Sequence, residues 1–135
     1  TDGIAESTFI SEYYIKYRNL NKNVKIIPLD QFETIIRDIK IDLVLNIHSF
    51  SEMNETFIRY WIGQISKKKI KYLFIVPNAQ DNGGKELISY EGKNFHSLIE
   101  QSGYQLKVRE PKYSEPVIQQ YGVSPTYYYL FQYNR

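Results

Sequence analysis

The sequence has no cysteine and only two histidines among its 135 residues. A protein without cysteine can form neither a disulfide nor a thiolate metal site, and two histidines leave carboxylates as the main ligands for any metal. We therefore expect no bound metal. The lack of cysteine also fits a reducing compartment, so the expected location is the cytoplasm.

Long apolar runs and a strong charge of either sign are absent as well. No stretch reaches the roughly 18 apolar residues that a membrane-spanning helix needs, so we expect neither a membrane span nor a signal peptide. Seventeen Lys and Arg against fifteen Asp and Glu leave a net charge of +2, which is too weak to indicate a nucleic-acid partner. With no repeat or linker-like segment, the length predicts a single domain over residues 1–135.

Helix-type and strand-type patterns alternate along the chain. The predicted strands are 24–30, 41–47, 70–77, 104–111 and 126–133. The predicted helices are 4–18, a short segment after residue 30, a segment that Asn54 caps, and 93–102. This alternation predicts an α/β fold in which helices flank parallel strands and the last two strands form an antiparallel pair. The nearly continuous apolar strand 41–47 is expected at the centre of the sheet, covered on both faces.

Two of the predicted helices carry a wide apolar face. In helix 4–18 and in the helix after Asn54, apolar and aromatic side chains recur every three or four residues, which is typical of an amphipathic helix packed on a core. These inward-facing residues are Phe9, Ile10, Tyr13, Tyr14 and Tyr17 in the first helix, and Phe57, Ile58, Trp61, Ile62 and Ile65 in the second.

Polar side chains crowd the end of strand 41–47, in the stretch "DLVLNIHSFSEMNE" at residues 42–55. The polar residues there are Asn46, His48, Ser49, Ser51 and Glu52. In open α/β sheets, ligands bind beyond the carboxyl ends of the parallel strands. We therefore expect these side chains, apart from Ser51, to face a ligand-binding crevice. The alternative for Ser49 and Ser51 is that they cap the following helix. The polar loop 78–86 either takes part through hydrogen bonds to a carbohydrate or is an ordinary surface loop.

The order of elements from about residue 1 to residue 133 resembles the C-terminal two-thirds of a class I S-adenosylmethionine-dependent methyltransferase. The motif "DLVLNIHSFSEM" is similar to the fourth-strand motif of sugar O-methyltransferases, which ends in an Asn, a Ser-Phe pair and Glu-Met. The resemblance implies a Rossmann-like sheet and S-adenosyl-L-methionine as cofactor. It also implies that the methyl acceptor is a hydroxyl group of a small molecule or a saccharide, in polysaccharide biosynthesis.

The resemblance carries several roles over to this chain. Asp2 would hold the cofactor ribose, and Asp30, followed by Gln31, would lie near the adenine. Asn46 and Ile47 would approach the methionine part of the cofactor and the acceptor, together with His48. Asp30 and His48 should then lie on one rim, because their strands would run in parallel.

The family's glycine-rich turn has no counterpart here, since the only Gly-Gly pair, Gly83 and Gly84, lies in a late loop. The resemblance then implies that the N-terminal strands are missing, and that the chain alone binds cofactor poorly. One alternative is a non-catalytic α/β interaction module that has lost cofactor binding. Another is a nucleotide-binding or glycosyl-transferring domain that uses the same strand ends.

His48 and Glu52 are the candidate catalytic residues. An imidazole with a pKa of about 6.5 can accept a proton from a hydroxyl at neutral pH, so His48 is the candidate general base. The alternative is a structural histidine that ties its ring to a loop carbonyl. Glu52 could orient His48, bind a sugar hydroxyl or coordinate a metal, or simply be stabilised by the helix dipole. Asp30 could likewise be only a helix cap.

Overall fold

The computed structural model describes residues 4–79 and 82–134. They fall into two compact units, one of residues up to Lys40 and one from Ile41 onward. Asp2, a predicted cofactor contact, lies outside the described residues. None of the helices in the described part of the chain is long and apolar enough to cross a membrane.

The N-terminal unit contains helix α1, Ala5–Tyr17, and the short helix α2, Phe32–Ile36. Both helices were predicted, and α1 agrees with the expected bounds. Its expected inward face, however, is exposed: Phe9, Ile10, Tyr13, Tyr14 and Tyr17 keep between 52% and 72% of their accessible surface. Helical spacing therefore predicted the helix correctly but not the burial of these side chains, which depends on what packs against them.

The predicted strand 24–30 is wrong. Residues 24–27 have no regular secondary structure, and Leu29–Gln31 form a 3-10 turn. A strand needs a hydrogen-bonded neighbour, and none of the four strands in the described part of the chain pairs with this segment. Pro28 also lacks a backbone N–H to donate to a ladder.

The unit from Ile41 onward contains a four-stranded sheet in the order β1-β2-β4-β3. β1 and β2 are parallel, and β4 is antiparallel to both of its neighbours, β2 and β3. The α/β fold and the antiparallel C-terminal pair are therefore confirmed. The strands are β1, Leu43–Ile47; β2, Tyr72–Val76; β3, Tyr104–Pro111; and β4, Tyr127–Tyr133.

The expectation that strand 41–47 lies at the centre of the sheet is wrong, because β1 pairs only with β2 among the described strands. Its side chains alternate between half-buried and exposed, with Leu43, Leu45 and Ile47 exposed. A continuous apolar run does not distinguish an edge strand from a central one, because strand order depends on the partners. The central position belongs to β2 and β4.

One face of the sheet packs against helices α3, Glu55–Lys67, and α4, His96–Gln101. The Asn54 side chain caps α3 as predicted, accepting the N–H of Phe57 at 3.1 Å. Phe57 itself is exposed rather than inward, because Ile58, Ile62 and Ile65 form the buried stripe. Burying such a side chain fully stabilises the fold by about 1.5–3 kcal/mol. The core is built from α3, α4, β2 and β4, with these buried apolar residues: Ile58, Ile62, Ile65, Leu73, Ile75, Leu98, Ile99, Tyr129 and Phe131.

Helix α4 is shorter than predicted and begins at His96. Asn94 forms a bridge to Ile88, and its side chain accepts the N–H of His96 at 2.9 Å, so the preceding residues form a turn. The predicted stop at Gly103 is confirmed, with a φ of 97° that favours glycine. A further helix that the sequence did not predict, α5, Pro116–Tyr121, lies between β3 and β4.

Candidate functional site

The carboxyl ends of β1 and β2 lie at one edge of the sheet, since the two strands are parallel and Ile47 is opposite Val76. The N–H of His48 donates to the carbonyl of Val76 at 2.7 Å, which extends the pairing one residue beyond the strand. The chain then enters a 3-10 turn, Ser49–Glu52. His48 is therefore the point at which the chain leaves the sheet.

His48 has an unusual backbone conformation, with φ 66° and ψ −36°. Residues other than glycine rarely adopt a positive φ, and such a conformation typically costs about 1–3 kcal/mol. It persists because both backbone groups of His48 are held: the N–H by Val76, and the carbonyl by the N–H of Ser51 at 2.8 Å. The exposed imidazole of His48 thus projects from a backbone fixed on both sides.

Asn46 fixes the turn from inside the strand. Its side-chain oxygen accepts the N–H of Phe50 at 3.0 Å, and Phe50 packs its ring edge-on against Phe95 in the core. The polar residue inside an apolar strand therefore has a structural partner. Ile47, the next predicted cofactor contact, is 56% exposed.

Glu52 and Ser51 connect the turn to the end of β2. The buried hydroxyl of Ser51 accepts the N–H of Asn78 at 3.1 Å. The Asn78 side-chain amide donates to Glu52 Oε1 at 3.5 Å. The carboxylate of Glu52 thus lies beside the Asn78 side chain. Ser49, at the start of the turn, donates to the carbonyl of Ile47 at 3.4 Å.

A third segment reaches the same edge, because β4 begins where β2 ends. The hydroxyl of Thr126 donates to the carbonyl of Pro77 at 2.6 Å and is fully buried. Gln119 of α5 donates its side-chain amide to the carbonyl of Thr126 at 3.0 Å. These bonds attach the segment between β3 and β4 to the rim.

Sequence reasoning missed Gln119 and Thr126 as residues that build the rim. It placed Asn78 only in a polar loop, and it offered only helix capping as a role for Ser51. Asn78 follows a predicted strand end, so the strand-end rule could have found it. Thr126 begins the last predicted strand, where that rule does not apply. We refer to His48, Ser51, Glu52, Asn78 and Thr126 as the β1–β2 rim.

The predicted adenine contacts, Asp30 and Gln31, lie in the N-terminal unit. Both are in the 3-10 turn, and both are exposed. No side-chain cap is made at the start of α2, so the alternative in which Asp30 caps this helix has no support there. The shared rim of Asp30 and His48 stays a prediction.

No group of three or more His, Asp or Glu side chains comes together in residues 4–79 and 82–134 in a way that could hold a metal ion. The rim exposes the imidazole of His48 and the carboxylate of Glu52, and it half-exposes Asn78. The hydroxyls of Ser51 and Thr126 are buried and already hydrogen-bonded.

Comparison with solved structures shows what kind of fold carries this rim. The structure of the mitomycin 7-O-methyltransferase MmcR matches with a TM-score of 0.66 over 96% of this chain, at 17% sequence identity. The chain has a methyltransferase-like fold. It spans 40% of the length of the MmcR chain.

Sequence comparisons add no further relative. No protein-family model matches the chain. No curated protein matches it either. At 17% identity the structural likeness concerns the fold, so the activity must be argued from the rim.

Proposed function

We propose that this chain is part of an S-adenosylmethionine-dependent O-methyltransferase that methylates a hydroxyl group of a saccharide. The observation that carries the proposal is the position of His48: an exposed imidazole on a fixed, strained turn at the carboxyl end of a parallel strand, in a methyltransferase-like fold. Strained backbone persists most often at functional sites. Residues 1–135 would form the later two-thirds of one α/β domain, in a cytoplasmic enzyme.

The chain's residues fit the cofactor in part. Ile47 offers exposed apolar surface, and Asp30 offers an exposed carboxylate that could accept hydrogen bonds from a ribose or an adenine. Asn46 uses its side-chain oxygen for Phe50, which leaves its amide to donate. The sequence contains no glycine-rich turn to hold the rest of the cofactor. When bound, S-adenosylmethionine would supply the electrophilic methyl group.

His48 would take the proton from the acceptor hydroxyl, and general-base help of this kind contributes about 10²–10⁴-fold to a rate. Glu52, held by Asn78, would accept a hydrogen bond from a second hydroxyl of the acceptor and so help to orient it. Neighbouring hydroxyls are abundant on saccharides. This combination of a base and a separate acceptor group supports the saccharide assignment.

The test is labelled methyl transfer from S-adenosylmethionine, measured with the complete gene product. We expect His48→Asn to lower kcat about 10²–10⁴-fold, while cofactor affinity by calorimetry stays the same. Asparagine tolerates positive φ, so the turn is kept. Equal rates for the two proteins would remove His48 as the base.

A matched pair of variants tests the proposed contact between Asp30 and the cofactor. Asp30→Asn should weaken cofactor binding about tenfold, since an acceptor-only carboxylate becomes an amide. Asp38→Asn removes an equally exposed carboxylate from the same unit and should leave binding unchanged. Equal effects of the two substitutions would contradict the role of Asp30.

The acceptor is tested separately. The name of MmcR places its methylation on mitomycin, a small molecule, so small hydroxyl compounds should be assayed beside saccharides. Transfer only to small non-saccharide acceptors would overturn the saccharide part of the proposal. A complete gene product that neither binds the cofactor nor transfers a methyl group would favour the non-catalytic module.

A further inference from the structure

A polar cavity lies beside strands β3 and β4. It has a volume of about 220 Å³ and opens between the 85–96 segment and strands β3 and β4. We call it the β3–β4 cleft, and its polar and charged lining residues are Lys85, Glu86, Asn94, His96, Arg109 and Tyr129. None of the lining residues belongs to the β1–β2 rim. The cleft adjoins the rim, because Thr126 lies against Gly84, the residue before Lys85.

Arg109 is held in place by three contacts. Its terminal NH2 donates to the carbonyl of Lys85 at 2.7 Å. Its guanidinium carbon lies 4.8 Å from the centre of the Tyr127 ring and 5.8 Å from that of Tyr129. A guanidinium has five N–H donors in a planar fork, so these contacts leave donors for a ligand.

Tyr129, the cross-strand partner of Arg109, is equally fixed. The buried hydroxyl of Tyr129 donates to the carbonyl of Gly84 at 3.0 Å, which attaches the start of the 85–96 segment to β4. Burial raises the pKa of this hydroxyl, while the nearby charge of Arg109 acts in the opposite direction. Tyr129 is thus a neutral hydrogen-bond donor, and its bond to Gly84 does not depend on pH in the physiological range.

The charges of the lining residues decide which ligand fits. Lys85 and Arg109 supply two permanent positive charges, and Glu86 supplies one negative charge. His96 packs its ring edge-on against Phe131 at 5.3 Å, and its Nε2 lies 3.4 Å from Glu100 Oε1. The cleft therefore combines a net positive charge with a pre-ordered guanidinium.

We propose that the β3–β4 cleft binds the phosphate group of a small molecule. Arg109 binds two phosphate oxygens through its planar fork, and Lys85 adds the second charge, which is the arrangement that favours phosphate over a neutral ligand. Glu86 and Asn94 are placed to accept and donate hydrogen bonds to the rest of the ligand. A phosphate group occupies well under 220 Å³, so the cleft has room for part of the attached molecule.

The experiment is a titration of the full chain with inorganic phosphate at constant ionic strength, followed by phosphorus NMR and by amide shifts of residues around the cleft. We expect saturable binding with a Kd in the millimolar range. Arg109→Gln should weaken it at least tenfold, and Lys85→Gln about threefold to tenfold. Lys107→Gln removes the same charge from the same strand outside the cleft, and should change the Kd less than twofold.

Two outcomes of the phosphate titration would overturn the proposal. One is no saturable phosphate binding by the unaltered chain, and the other is an equal loss in Arg109→Gln and Lys107→Gln, which would indicate non-specific attraction. Circular dichroism shows whether Arg109→Gln folds. If it does not, the test rests on Lys85→Gln and Lys107→Gln, and an equal loss of phosphate binding in these two variants overturns the proposal. Lys85 suits this role because its side chain does not pack on the tyrosine rings as Arg109 does. Acetate serves as the carboxylate probe. Acetate binding at least fivefold weaker than phosphate binding supports the assignment, and acetate binding equal to or tighter than phosphate binding overturns it.

Discussion

The face of the sheet that packs against α3 and α4 and the β1 side chains of the other face have similar residues but differ in how deeply these are buried. On the face packed against α3 and α4, Leu73, Ile75 and Phe131 have no accessible surface. On the opposite face, Leu43, Leu45 and Ile47 of β1 keep 45%, 60% and 56% of theirs. Composition therefore does not decide which face of a strand is covered. The elements that lie opposite the strand decide it.

This difference has an energetic meaning. Apolar surface contributes to stability only when folding removes it from water, at about 25 cal/mol per Å². The covered face should therefore carry most of the stability of the unit from Ile41 onward, and the β1 side chains of the open face little. Five substitutions sharpen this comparison, in order of decreasing expected effect.

The largest effect is expected in the helix that covers the sheet. Ile62→Ala removes a side chain that is 1% exposed and leaves a cavity, so the free energy of unfolding should fall by about 2–5 kcal/mol in urea denaturation. A loss below about 1 kcal/mol would mean that the covered face is not the stabilising one.

A slightly smaller effect is expected where the loop before Leu87 meets the covered face. Gly84 has a φ of +69°, and an added Cβ would overlap Thr126 Oγ1 and lie 3.0 Å from Thr126 Cβ, so Gly84→Ala should cost about 2–4 kcal/mol. Gly83 has nearly the same φ, +62°, but open space around it, so Gly83→Ala should cost only about 1–2 kcal/mol. Equal losses in thermal unfolding would assign the whole effect to backbone strain and none to the contact.

A near-zero effect is expected on the open face. Leu45→Thr replaces a side chain that is 60% exposed with one that suits a strand, so the free energy of unfolding should change by less than about 0.5 kcal/mol. The measurement is the same urea titration as for Ile62→Ala. A loss above about 2 kcal/mol would show that this face is covered in solution and would remove the contrast.

The smallest effect concerns a surface charge at the start of α3. The hydrogen bond from Arg59 lowers the pKa of Glu55, and burial acts weakly in the opposite direction. Because the pKa is lower in the folded state, the stabilisation is present above the ordinary pKa of a glutamate and is lost as the pH falls through the lowered value. The difference in Tm between the unaltered chain and Glu55→Gln should therefore shrink from about pH 6 to about pH 3. A difference that grows with acidity would contradict this sign.

The sequence predicted the elements of the covered face well. Apolar periodicity and the cap residue Asn54 predicted α3 correctly. The last two predicted strands agree with β3 and β4 within a residue. Both predictions used patterns that are local in sequence. The position of β1 at the edge and the missing strand at 24–30 could not be read locally, since both depend on which strands pair.

The candidate site was predictable to a similar degree. The strand-end rule located His48 and Glu52, and the structure places both on the rim. The rule could not show that the Asn46 side chain accepts the N–H of Phe50, or that the Asn78 amide donates to Glu52. These bonds depend on the path of the turn. The positive φ of His48 could not be predicted either, because histidine adopts it more often than most residues but only where the surrounding bonds hold it.

The position of β4 between β2 and β3 has a consequence for how the chain is made. Both neighbours of β4 precede it in sequence, and in this sheet they bond to β4 and not to each other. On a ribosome, β3 would leave the exit tunnel with no partner to bond, and would stay unpaired until residues 127–133 followed. The sheet should then close late, in one step that joins distant parts of the chain, and a ribosome stalled before that point would hold an aggregation-prone nascent chain.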